Sequence, residues 1–170
     1  LILEIKILLK SIKKDYGNLS KIIVVNGPGS FTGIRTAITA AKVLGLSLDL
    51  PVCGVSLFDL LLINYLKNNP KKNLKLFIQL NKYNFFSQKI FQSGKKSDIS
   101  LVKLNKELLV RNKDFIFIFD HNILANKEAK KLFKEGKIII INDVFNESYK
   151  DLVALSEKKY IPNPIYVKTF

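Results

Sequence analysis

The chain has 170 residues, of which 48% are hydrophobic and 25% charged, enough to bury a core in one domain or in two small lobes. Its formal net charge of +14 suits a polyanion such as RNA, but it equally suits a lysine-coated solvated surface, because only Arg35 and Arg111 are arginines. The lone cysteine, Cys53, excludes an internal disulfide and an all-cysteine metal cage, and the longest apolar run, 57–66, is broken by Asp59 and Asn64 and too short to span a bilayer.

In chain order, Leu1, Ile5, Leu8 and Ile12 recur at helical spacing, with Lys6, Lys10, Lys13 and Lys14 off the stripe. This predicts an amphipathic helix ending near Tyr16-Gly17-Asn18. The β-branched run 21–25 predicts a buried strand. The loop NGPGSFTGIR follows, and then a helix from Thr32 to about Asp49 carrying the stripe Ile34, Ile38, Ala41, Leu44 and Leu48. Ala37, Ala40, Gly45 and Ser47 lower other parts of that helix, so another backbone can come close. Pro51 stops it. A short strand, 52–55, and a helix from Ser56 to about Leu66 complete the first block, with Ser56 and Asp59 spaced as a capping box.

The polar segment NNPKKN reads as a linker, so the expected division is a first lobe 1–67, a linker 68–73 and a second lobe 74–170. The second block opens with a hairpin, 74–80 and 84–92, turning at Asn81 to Asn84. Strands are expected at 99–104, 115–119 and 137–141. Helices are expected at 124–134 and 147–159, and an extended piece at 165–170. The class is mixed α/β.

The loop invites a phosphate-binding reading. A Walker loop needs a lysine after its last glycine, and Gly33 is followed by Ile34 and Arg35. A dinucleotide loop needs its third glycine one residue earlier than Gly33. What remains is a choice between a strand-to-helix turn, capped by Ser30 or Thr32, and an anion site at the helix start built from Gly27, Gly29, Ser30, Thr32, Gly33 and Arg35. Elsewhere the chemistry is sparse. His121 is the only histidine and reads as a solvated loop residue, and Cys53 reads as a small core residue. No catalytic residue and no metal site are expected.

The stretch GPGSFTGIRTAITAAKVLGLSLDLPVCGVSLFDLL, 27–61, resembles the signature region of the TsaB family, also called YeaZ. The ending PIYVK resembles the family's closing Pro-x-Tyr-x-Arg, and LKLFIQLNKYNFFSQKIF resembles its Ile-Asp-Ala-Arg strand and hairpin. Gln79 and Asn81 stand where Asp and Arg are usual. The resemblance implies a two-lobed actin-like ATPase (ribonuclease-H-like) fold. The family's leading strand and hairpin would precede Leu1, so the first lobe is expected to be truncated; the absence of Met agrees.

The resemblance further implies a non-catalytic subunit of the cytoplasmic complex that installs N6-threonylcarbamoyladenosine at position 37 of tRNAs reading codons that start with A. Its partners would be a TsaD-like catalytic subunit and a TsaE-like ATPase, with ATP and metal on those subunits rather than here. A homodimer is an alternative pairing, and tRNA contact would be indirect. Pairing through the first-lobe helices would use Leu1, Ile5, Leu8, Ile12, Ile34, Ala37, Ile38, Ala41 and Leu44. The competing reading is an actin-like-fold nucleotide-binding enzyme, phosphotransferase or glycoprotease-like.

Overall fold

A computed structural model describes residues 1–66, 72–141, 162–165 and 167. The chain divides into two compact units, one built on Leu1–Ser56 and the other beginning at Leu57. The break falls before the third helix rather than at the polar linker. That helix therefore belongs with the second unit, not with a first lobe 1–67.

In the first unit, α1 (Ile2–Ser11) precedes a single 3-10 turn at Tyr16–Asn18. Strand β1 (Ile22–Val25) pairs in parallel with β2 (Val52–Val55), with Ile22 opposite Val52 and Val25 opposite Val55. The helix α2 (Phe31–Ser47) is the crossover between them, the connection two parallel strands require. Its inward side is Ile38 and Ala41 on Val24, with Ile22, Ile34, Ala37 and Val52 around them. Gly45 lets the helix approach β2, since a methyl group there would overlap the Val52 side chain. Gly45→Ala should therefore destabilise the unit by about 1–3 kcal/mol, the usual cost of overpacking, measured by urea unfolding.

Among the described residues the second unit holds a five-stranded sheet in the order β5-β4-β3-β6-β7. The hairpin β3 (Leu74–Gln79) and β4 (Asn84–Ile90) is antiparallel, and β5 (Ser100–Lys103) extends it on β4. On the other side β6 (Ile116–Asp120) and β7 (Ile138–Ile141) run parallel to β3 and to each other. Against the sheet, α3 (Leu57–Leu66) buries Phe58, Leu60, Leu61 and Tyr65, and α4 (Lys106–Arg111) buries Leu109. Asp59 of α3 forms an ion pair with Lys96.

Alternation along the strands divides the sheet into two faces. Phe77, Phe85, Phe117 and Phe119 share one face and form a fully buried aromatic cluster with Leu109, Ile123 and Ala129. Phe77 stacks on Phe119 with ring centres 4.7 Å apart, and meets Phe85 edge-on at 6.3 Å. The single helix expected over 124–134 is broken. A 3-10 segment at His121–Ala125 ends at Asn126, whose side chain accepts the Ala129 N–H and starts a separate α5 (Lys127–Lys131). The helix expected over 147–159 lies outside the described residues.

Candidate functional site

The glycine loop is built as a turn. The backbone N–H of Asn26 continues the sheet by donating to the Val55 carbonyl at 3.0 Å, and its carbonyl accepts the Ile165 N–H at 2.9 Å. Gly27 then takes φ +117°, a region that L side chains avoid, with Ile34 and Ile165 packed about it. Gly27 and Pro28 are buried, whereas Gly29, Ser30, Thr32, Gly33 and Arg35 are exposed.

Ser30 is the N-cap of α2: its hydroxyl oxygen accepts the Gly33 N–H at 3.4 Å, and its carbonyl accepts the Ile34 N–H at 2.9 Å. Arg35 lays its guanidinium over the Phe31 ring at 4.0 Å. The buried polar atom here is an acceptor, Asn26 Oδ1, which has no partner among the described residues. An orphaned acceptor calls for a hydrogen-bond donor, not for an anion.

The expected pairing residues separate by direction. On α1, Leu1, Leu8 and Ile12 are exposed, with Leu8 at 63%, and Ile5 is half-buried. Ile2, Leu3 and Ile7, outside the predicted stripe, are also exposed. On α2 the stripe faces its own sheet: Ile38 (4% exposed) and Ala41 are core residues, and Ile34 and Ala37 pack beside them. Leu44 is half-buried. The outward apolar side chains of α2 are Phe31, Val43 and Leu46, and Leu46 is 88% exposed.

In the second unit the departures from the family pattern have separate fates. Asn81 makes the hairpin turn, its Oδ1 accepting the N–H groups of Tyr83 (3.1 Å) and Asn84 (3.0 Å). Gln79 lines a cleft of about 410 Å³ with Lys82, Asn126 and Glu128, and its buried Oε1 has no partner among the described residues. The cleft lies where β3 and the segment after β6 end. His121 is exposed, Cys53 is buried, and no group of three His, Cys, Asp or Glu side chains gathers among the described residues. No helix there is long and apolar enough to cross a membrane.

Lys75 on β3 is the buried cation the sequence did not single out. Its neighbour across the hairpin is Lys89. Burial first, and then the Lys89 ammonium, lower its pKa from the usual 10.5 to about 8. Below about 8 the group is charged in both folded and unfolded chains, and the whole burial penalty is present. Between about 8 and 10.5 the unfolded chain binds more protons, so stability rises with pH. Lys75→Met should flatten that rise and stabilise the protein by about 1–3 kcal/mol at neutral pH. Urea titrations at pH 7 and pH 9.5 check both.

A family model described as TsaD: tRNA N6-adenosine threonylcarbamoyltransferase matches residues 1–79. The tRNA threonylcarbamoyladenosine biosynthesis protein TsaB of Bacillus subtilis (strain 168) is 51% identical over 47 residues, which are 28% of this chain and only 20% of that protein. The TsaB of Buchnera aphidicola subsp. Schizaphis graminum is 27% identical across 86% of this chain and 76% of its own length. Two solved Pseudomonas aeruginosa structures share the fold. One, described as having similarity to peptidase YEAZ, has TM-score 0.66 and 14% identity, covering 99% of this chain and 82% of its own. The other, YeaZ, has TM-score 0.54 and 18% identity, covering 92% and 74%.

With these likenesses, the mixed α/β architecture is that of the actin-like (ribonuclease-H-like) class. In sequence and fold the chain resembles the TsaB (YeaZ) proteins.

Proposed function

We propose that this chain is a non-catalytic partner subunit in the biosynthesis of threonylcarbamoyladenosine at position 37 of tRNAs reading codons that start with A. It pairs in the cytoplasm with a TsaD-like catalytic subunit, served by a TsaE-like ATPase. The observation that carries the proposal is the exposed apolar surface of α1 and α2: Leu3, Leu8, Ile12, Val43 and Leu46 are exposed and lie outside the cluster of Val24, Ile38 and Ala41. Exposed patches of this kind mark association surfaces. The names of the curated relatives point the same way.

Pairing in this reading moves to the outward sides of the two helices. Leu1, Leu8 and Ile12 stay in it, while Ile38 and Ala41 support it from beneath. The test is co-purification of the chain with a TsaD-like subunit, alongside its self-association. Pairing with the TsaD-like subunit is the expected result. ATP hydrolysis or peptide cleavage by this chain alone, without that pairing, would favour the enzyme reading instead.

A further inference from the structure

The amino ends of the parallel strands carry a second cleft, of about 500 Å³, in the second unit. Its polar lining is Lys72 and Asn73 before β3, Gln92 after β4, Lys113 and Asp114 before β6, and Lys137 before β7. Three lysines and one aspartate thus line it. The floor includes Phe115, whose ring lies beneath the Lys89 ammonium at 5.1 Å, and Lys89 is the cross-strand neighbour of the buried Lys75. Three lysines from three separate chain segments therefore line the cleft, with Lys89 beside its Phe115.

Amide donors accompany the charge. Asn73 Oδ1 accepts the Gln92 backbone N–H at 3.0 Å, which fixes the Asn73 side chain and leaves its Nδ2 as a donor. The lysine-coated surface expected from composition is diffuse; a concave site framed by lysines from several strands is not. Like charges held together repel, and an occupying anion removes that repulsion while supplying acceptors.

We infer that this cleft binds a phosphate group, held by Lys72, Lys113 and Lys137. The phosphate can belong to an RNA backbone or to a small phosphate ligand, and the chemistry of capture is the same. The inference rests on the cleft itself and stands apart from the pairing proposed for α1 and α2.

The experiment uses the whole chain, with a fluorescein-labelled tRNA transcript followed by anisotropy and pyrophosphate followed by calorimetry. Lys113→Gln/Lys137→Gln is compared with Lys103→Gln/Lys130→Gln, which removes the same charge from exposed positions elsewhere. All four side chains are exposed, and unchanged thermal melting confirms folding. We expect the cleft pair to weaken binding about tenfold and to reduce the slope of log affinity against log salt by about 1 to 2, with the control pair much less affected.

Asp114→Asn should strengthen binding. Loss with both probes, or with tRNA alone, assigns the cleft to an RNA phosphate; loss with pyrophosphate alone assigns it to a small ligand. Equal loss in the two pairs, or no binding by the unsubstituted chain, overturns the inference. Co-purification with a TsaD-like subunit should be unchanged in the cleft variants, so failure here and failure of the pairing surface are separable.

Discussion

Phe77→Ala should lower the unfolding free energy of the second unit by about 3–5 kcal/mol, the range for truncating a buried aromatic side chain. Phe77 is fully buried on the central strand of the sheet. Its ring is stacked on Phe119, edge-on to Phe85, and 6.1 Å from Phe117. The ring is thus a shared partner of three others, and its removal leaves a void that none can fill without leaving its own packing. Phe77→Leu keeps most of the volume and should cost less. Urea unfolding monitored by circular dichroism measures both. A loss below 1 kcal/mol for the alanine variant would mean that the aromatic cluster collapses freely, contrary to its interlocked geometry.

The second large effect concerns association. Leu8→Glu combined with Leu46→Glu should reduce pairing with a TsaD-like subunit by about 100-fold or more, since each substitution puts a charge into the interface proposed for these helices, and charges are normally depleted from interface cores. Both positions are exposed, so the unfolding midpoint should hardly move. Ile38→Glu provides the contrast. Ile38 is a core residue against Val24, and burying a carboxylate there should unfold the first unit. Gel filtration and pull-down read the pairing, and thermal melting reads the fold. Unchanged pairing of a folded Leu8→Glu/Leu46→Glu variant would remove these helix faces from the interface.

The contrast between Leu46 and Ile38 shows where the sequence was legible. Spacing placed α2 within a residue or two and identified its apolar stripe. It did not say what the stripe faced, because α2 is apolar on more than one side. The deciding feature is Gly45: its bare backbone lies against Val52, which turns Ile38 and Ala41 toward the sheet and Leu46 outward. That close approach is a relation between segments, and no local pattern encodes it.

Strand runs such as FIFIF and the hairpin turn at Asn81 were legible because alternation, bulk and turn chemistry are local. α4 was missed because it is only six residues long, although Asn105 caps it by accepting the Leu108 N–H at 2.8 Å. The break at Asn126 had the same kind of signal, a capping residue inside a helical pattern. The glycine loop was legible as a turn from Pro28 and its neighbours, and Ser30 capping follows the expected chemistry. The lysine cleft was not legible, since its members are scattered between residues 72 and 137 and only the parallel strand order gathers them.

That strand order also sets a sequence of events in folding. The β3–β4 hairpin closes a four-residue turn and can form from local contacts as soon as residue 90 is available. The partner on the other side of β3 is β6, which begins at Ile116. Phe77 therefore waits for Phe119, and the aromatic core is sealed only after the chain has paid the closure entropy of the intervening loop. Until then one edge of the hairpin and a row of phenylalanines face water, an aggregation-prone interval that ends when β6 docks.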